Sequence, residues 1–398
     1  MTSAGFSGYA ALLPVAPLWV VHGGAGSAGA GAVNGVLMLF TVLTQLFVPG
    51  ALRRYGWAPV LVAAMVLLGV PALLHLVSDQ LGWTLLLSAV RGLGFGILTV
   101  TGSAAVAELV DPARRGRAIG VYGLAVAGPQ LLLLPAAPWV AEQLGFWVVF
   151  AISTAPLLGV VPAFALARTL TALPADHHHD APTGAAPPGG GRSRRRTYLA
   201  LLRPMALLLG VTLAGGALIT FVPQITSDPA VATGGLLLLT GTAALSRWRF
   251  GTLADRYGTW PFLWPLVVLT AAGMALTAWA VTDAEATTVT LLLLGMAAVG
   301  ISYGGLQNLT LVLAFAAVRR RDYGLASAVW NVGFDTGTGL GAVLVGALAA
   351  GYSFPVALLA AAGFSVATLP LALAREGGTR PRARPAAEGR GEYAEREP

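Results

Sequence analysis

Two ionisable residues stand where such residues are rare. Asp335 interrupts an apolar run over residues 325–350, and Arg91 interrupts another over residues 83–110. In the hydrocarbon core of a bilayer such a charge costs about 2.5–3.5 kcal/mol on insertion scales, so it calls for a partner or a wet cavity. Asn331 and Thr338 share the helical face of Asp335, at i−4 and i+3. Gly333, Gly337 and Gly341 form a small-residue ridge on the opposite side, suited to tight helix packing. At about 1.5 Å per residue, Asp335 falls roughly 15 Å from one end of its run and Arg91 roughly 13 Å from the end of its own. Both depths lie near the midplane of a core about 30 Å thick. Burial favours the neutral form of a carboxylate and a nearby cation favours the ionised one, so an acid held between them can load and release a proton. Asp335 is therefore the candidate proton-coupling residue, with a permanently bonded structural acid as the alternative. Arg91 either contacts substrate and the coupling site or makes a fixed structural bond.

Other polar residues sit at helical spacing within apolar runs. Asn34, Met38, Thr41 and Gln45 follow the i, i+4, i+7, i+11 rhythm and share one face. A polar stripe in lipid must face protein or water. Tyr122 lies in a fifth run and Asn331 in the Asp335 run, while Tyr303, Gln307 and Asn308 lie in the run over residues 287–318, where Gly300 and Gly304 occupy a separate face. Together with Arg91, the residues Asn34, Met38, Thr41, Tyr122, Tyr303, Gln307, Asn308 and Asn331 make up the candidate cavity. Gly92, Gly94 and Gly96 do not read as a dinucleotide loop, because no strand precedes them. Their spacing suits close helix packing instead.

The composition says what must position these groups. The chain has 398 residues, 56% hydrophobic and 10% charged, against about 25% charged in a soluble domain. Twelve apolar runs near membrane-spanning length recur along it. All 24 basic residues are Arg, and every one except Arg91 lies at or beyond one side of the expected membrane. Turns on the other side carry Asp79, Glu142, Asp228, Asp283 and Glu285. This positive-inside asymmetry explains the formal charge of +7, places both termini in the cytoplasm and leaves no case for nucleic-acid binding. The chain has no Cys, and without Lys it has no Walker A loop, so ATP is not its own energy source. No basic residue precedes the first apolar run, which does not look like a signal peptide. Clustered nucleophilic or ionisable groups at one depth are also missing, which argues against an enzyme.

The expected organisation is an all-α membrane protein of twelve transmembrane helices in two pseudo-symmetric six-helix bundles, residues 1–168 and 198–375. Residues 169–197 read as a cytoplasmic linker rich in Pro, Gly and Ala, with the His177-His178-His179 run as a solvated polar tract rather than a metal site. Arg192, Arg194, Arg195 and Arg196 suit anionic headgroups. Residues 376–398 read as a disordered cytoplasmic tail.

Two polar hinges between apolar runs carry the repeat: Gly251-Thr252-Leu253-Ala254-Asp255-Arg256-Tyr257-Gly258, and earlier Pro49-Gly50-Ala51-Leu52-Arg53-Arg54-Tyr55-Gly56. Overlaying them sets Arg247 on Gln45. The later hinge resembles the loop between the second and third helices of each half of the major facilitator superfamily, whose pattern runs G-x-L-A-D-R-x-G. The earlier copy has Arg53 where that family carries Asp. Arg91 with Gly92, Gly94 and Gly96 is similar to the family's R-x-x-Q-G-x-G-x-G stretch, with Ser88 at the family's Arg position. Gly128-Pro129 keeps the centre of its antiporter motif, and Pro14-Val15-Ala16-Pro17 is similar to the opening helix of many of its exporters. The resemblance implies a monomeric secondary transporter in the cytoplasmic (inner) membrane. It would have no cofactor and would use the proton gradient to export a drug-like compound or secondary metabolite. A proton symporter or facilitator importing a small nutrient such as a sugar is the alternative. The resemblance also implies a gating latch built from Gly251, Asp255, Arg256, Gly258 and Arg247, with Asp255 docking on a helix end of the other half.

Overall fold

In lipid, each backbone N–H and C=O must find a partner within the protein, and a long apolar segment meets that demand as a helix. The computed structural model describes residues 1–109, 115–172, 191–226, 228–283, 287–319 and 323–374, with side chains omitted at residues 107, 115–120 and 191–196. The described residues form helices with no strand, and twelve segments are long and apolar enough to cross a membrane. The His177–His179 run, most of the expected linker, the turn around Asp111 and the C-terminal tail lie outside the described residues.

The first half comprises α1 (Thr2–His22), α2 (Ser27–Tyr55), α3 (Trp57–Leu74), α4 (Leu81–Leu109), α5 (Arg115–Leu144), α6 (Phe146–Ile152) and α7 (Val160–Thr171). The second comprises α8 (Gly191–Ile225), α9 (Pro229–Tyr257), α10 (Trp260–Ala280), α11 (Val289–Ala316), α12 (Tyr323–Gly351), α13 (Phe354–Ala367) and α14 (Leu369–Leu373). α8 starts inside the stretch read as linker; its Arg-rich opening favours helix intrinsically. The sixth span is broken by a 3-10 turn over Ala155–Gly159, and the twelfth breaks at Thr368. Pro156 lies at the start of the first break and Pro370 just after the second, and proline can begin a helix but not continue one.

The two halves repeat one packing scheme. α4 packs on α2 and α3, and α1 on α5; correspondingly α11 packs on α9 and α10, and α8 on α12. Between halves, α2 meets α12, α5 meets α9, and α1 meets α8. The repeat holds residue by residue. Side chains at Gly92 and Gly96 would strike the carbonyls of Leu37 and Thr41; at Gly300 and Gly304 they would strike those of Leu239 and Ala243. The shift that carries Gln45 onto Arg247 carries Leu37 and Thr41 onto Leu239 and Ala243. Each hinge ends its helix on a glycine of left-handed backbone, Gly56 and Gly258 both at φ 77°, where only glycine avoids strain. Arg54 lies over the Tyr55 ring at 5.3 Å and Arg256 over the Tyr257 ring at 5.1 Å.

Candidate functional site

α12 has the two edges its sequence implies. Gly333, Gly337 and Gly341 press on Met205, Thr212 and the Leu213 carbonyl of α8, so the helix backs tightly onto its own half. That contact turns Asp335 toward the other half. The carboxylate is 4% exposed, and its Oδ2 accepts a hydrogen bond from Gln45 Nε2 of α2 at 2.7 Å. Gln45 Nε2 also reaches Thr99 Oγ1 of α4 at 3.2 Å, while its Oε1 is buried without a partner. No cation pairs with Asp335 among the described residues. Its site is a carboxylate with one amide donor at membrane depth.

The Gln45–Asp335 bond closes a seam. Ser27 Oγ donates to the Gly346 carbonyl at 3.1 Å, and Gly31 packs under the Ala342 carbonyl. Asn34 Nδ2 donates to Thr220 Oγ1 of α8 at 2.9 Å, and Met38 packs on Gly339. These contacts run from the end of α2 away from the termini down to Asp335. Asn34 has a second task in α1. Pro17 has no N–H to offer the Leu13 carbonyl four residues back, and Asn34 Nδ2 donates to that carbonyl at 2.9 Å. Thr41 donates to the carbonyls of Leu37 and Gly92, at 2.8 and 3.2 Å, and is fully buried between α2 and α4. Asn34, Met38 and Thr41 thus line closed helix contacts in this conformation.

Arg91 and Asp335 are not ion-paired. The guanidinium, 1% exposed, donates from Nη2 to the Gly8 carbonyl of α1 at 3.1 Å, and its Nε is buried and unpaired. Tyr9, stacked on Phe95 with ring centroids 3.8 Å apart, stands within electrostatic range of Arg91, Asp335 and Tyr303. The glycines beside Arg91 pack as their spacing implies, Gly92 and Gly96 on α2 and Gly94 on α3.

The second half carries the equivalent wall. Arg247 donates a short hydrogen bond from Nη2 to Gln307 Oε1, the counterpart of Gln45 to Thr99. Gln307 is 4% exposed and its Nε2 is buried without a partner. Tyr303 lies within electrostatic range of both Arg247 and Asp335, and beside Thr338 and Gln307. Asn308 Nδ2 donates to the Arg247 carbonyl at 3.1 Å and so pins α11 to α9. Asn331 bonds the Ser327 carbonyl of its own helix. Tyr122 packs on Gly102, as Trp330 Nε1 bonds Thr310 Oγ1 at 3.1 Å in the other half. Arg247 is exposed although its partner is buried. Roughly 15 Å from the hinge end of α9, it lies deeper than the membrane edge where the sequence reading put every Arg except Arg91. A cation at that depth calls for a water-filled cleft, and the contacts from Ser27 to Gln45 put such a cleft on the side of the termini.

Asp255 is exposed and makes no hydrogen bond or ion pair among the described residues. Gly251 packs beside Asn308, and Gly258 caps α9 by returning its N–H to the Ala254 carbonyl at 2.9 Å. Sequence reasoning left Gln45 and Tyr9 out of the site. Gln45 lay on the polar stripe and on the overlay with Arg247, which was signal enough. Tyr9 sits in an apolar run with no spacing to mark it.

A model of the family described as Major Facilitator Superfamily matches residues 1–314 and 250–396. Among curated proteins, a "Probable 4-methylmuconolactone transporter" of Cupriavidus pinatubonensis (strain JMP 134 / LMG 1197) is 26% identical over 222 residues, 53% of this chain and 50% of that protein. The match thus spans about half the length of that relative. Among solved structures, the nucleoside transporter NupG superposes with a TM-score of 0.68 at 15% identity, covering 94% of this chain and 96% of that one. An inward-facing, unoccupied bacterial homologue of the human lysosomal transporter Spinster superposes with a TM-score of 0.67 at 14% identity, covering 94% of each chain. These neighbours share the twelve-helix fold. The matched family and these neighbours are transporters rather than enzymes.

Proposed function

The chain belongs to the major facilitator superfamily and is an integral, multi-pass membrane transporter, and on that premise we propose that it exports a small organic compound in exchange for protons, with Asp335 carrying the proton. The observation behind this is the setting of Asp335: buried at the inner end of a closed seam, with Gln45 as its hydrogen-bond partner and no cation beside it among the described residues. An ionised carboxylate in that place lacks compensation, so a change of conformation around it is coupled to what it binds, a proton or a positive group of the cargo. Alternating access follows from the same contacts. Opening the seam from Ser27 to Gln45 would expose Asn34, Met38 and Asp335 to the other side while the cleft beside Arg247 closes. The 4-methylmuconolactone named for the relative supports a small organic cargo. The charge asymmetry of the turns supports an inner-membrane protein with both termini in the cytoplasm, acting as a monomer.

Symport into the cell is the second reading. The separation of Arg247 from Asp335 favours it, because a cargo anion and a proton would then have separate seats. Proteoliposomes loaded with a pH-sensitive dye separate the two. A transported compound added outside should move protons in the wild type, with opposite signs of internal pH change for exchange and symport. Asp335→Asn should abolish that proton movement. Undiminished proton flux in Asp335→Asn would remove Asp335 from the mechanism.

A further inference from the structure

The seam pairs α2 with α12 and α9 with α5, but only the first pair carries an acid midway along its helices, Asp335; Glu142 and Asp255 lie near helix ends. The shift that sets Tyr122 on Trp330, and Gly102 on Thr310, sets Ala127 on Asp335. Across from Gln45 stands Asp335; by the same shift the position that corresponds opposite Arg247 is Ala127. The described carboxylate of α5 is Glu142, four turns further along that helix. Arg247 therefore keeps the counterpart of the Gln45–Thr99 bond, to Gln307 Oε1, and has no counterpart of the Gln45–Asp335 bond.

We propose that this wall of the cleft is the seat of a ring-bearing monocarboxylate, its carboxylate held by Arg247, Gln307 and Tyr303. The donors fit. A guanidinium presents planar N–H pairs that match a carboxylate, and the Nη2 bond to Gln307 leaves other N–H groups of Arg247 free to take it. Gln307 Nε2 is buried with no acceptor, a state a bound carboxylate oxygen relieves. The Tyr303 hydroxyl is a third donor within electrostatic range of the same guanidinium.

The ring requirement comes from the neighbours. Tyr303 and Phe334 lie with ring centroids 6.1 Å apart, and Trp330 stacks on Phe334 at 5.7 Å. Tyr9, stacked on Phe95, faces the site from the other half. Flat apolar walls around one cationic seat select a small flat anion over a sugar or an amine. This assignment rests on the reading of the cleft as the transport site, yet it does not depend on Asp335 or on the direction of transport.

The test is ligand-induced thermal stabilisation of the purified full-length protein. The probes are benzoate, phenylacetate and cyclohexanecarboxylate, with methyl benzoate and benzylamine for comparison. At least one carboxylate should raise the melting midpoint saturably, while the ester and the amine should not. Arg247→Gln, which can still bond Gln307, should weaken that carboxylate by about 10- to 100-fold, and Arg247→Lys should restore part of the loss. The midpoint shift is read with no proton gradient, so a failed anion seat reads out separately from a failed proton role, which is measured as flux in Asp335→Asn. The assignment is overturned if no carboxylate binds, if methyl benzoate or benzylamine binds as well, or if Arg247→Gln leaves the dissociation constant unchanged. The ester comparison uses the wild-type protein and stands even if the variant does not fold.

Discussion

Gln45 and Arg247 hold the same place in the two halves, each reaching from the second helix of its bundle to the fourth, and they do different things there. Gln45 bonds Thr99 and then crosses the seam to Asp335; Arg247 bonds Gln307 and meets no acid across its own seam. The backbone around them is the same: glycines of α4 and α11 seated on carbonyls of α2 and α9 at matching positions. The duplicated fold has kept its close-packed scaffold and moved the charges apart, with the acid on one wall of the cleft and the free cation on the other. Separating them keeps each available to a ligand. A direct pair at this depth would satisfy both groups and leave neither for proton or cargo.

Making the first half resemble the second is the severest way to break this contrast. Gln45→Arg places a guanidinium where the amide now bonds Asp335 Oδ2, and a buried pair of that kind holds the carboxylate ionised. Substrate-dependent proton flux should fall to the level of Asp335→Asn, at least about tenfold below wild type, since a tenfold change needs only about 1.4 kcal/mol of preferential stabilisation. The same proteoliposome assay measures it. Proton flux at the wild-type level in Gln45→Arg would mean that Asp335 is not the acid that titrates.

The scaffold offers a second test, smaller and on stability. A methyl at Gly304 would overlap the Ala243 carbonyl more deeply than one at Gly96 overlaps the Thr41 carbonyl, the latter at 2.6 Å. Both Gly→Ala changes should lower the thermal midpoint of the purified protein, by about 1–3 kcal/mol of overpacking, with Gly304→Ala the worse of the two. A reversed order would show that α4 and α2 are held more rigidly than α11 and α9.

The sequence carried the spans, the repeat and the helix edges much further than the contacts. Hydropathy and a period of 3.6 residues report on each helix separately, and so the glycine edge of α12 and the packing role of Gly92, Gly94 and Gly96 were readable. Pairing between helices is a property of the bundle. Nothing in the order of residues told that Arg91 would spend its charge on the Gly8 carbonyl, or that Asn34 would answer the carbonyl freed by Pro17. The stripe of Asn34, Met38, Thr41 and Gln45 pointed inward as its spacing implied, yet α2 is surrounded on that side by α1, α4, α8 and α12. Only Gln45 reaches the acid. The helix breaks at Pro156 and Pro370 went unread because proline marks where a span can break without requiring that it does, as the unbroken helix through Pro14 and Pro17 shows.

The mildest prediction concerns the hinges, the other place where the halves have diverged. The first hinge carries Arg53 where the second carries Asp255, so one carboxylate must serve for both. It has no partner among the described residues. A carboxylate that docks at a helix N-terminus when the cleft closes contributes about 0.3–1 kcal/mol in an exposed setting. Removing it should therefore shift the balance toward the open form by about two- to fivefold. The absence of Cys makes the measurement clean: a single cysteine introduced at Ser327, on the same side of α12 as the hinge, should react faster with a membrane-impermeant maleimide in Asp255→Asn than in its parent. Arg53→Asp should slow it, since a second acid would then be present where the first half now has a base. Equal rates in all three proteins would show that the surviving hinge turns the chain without holding the gate, and the asymmetry of charge across the cleft would then be confined to the level of Gln45 and Arg247.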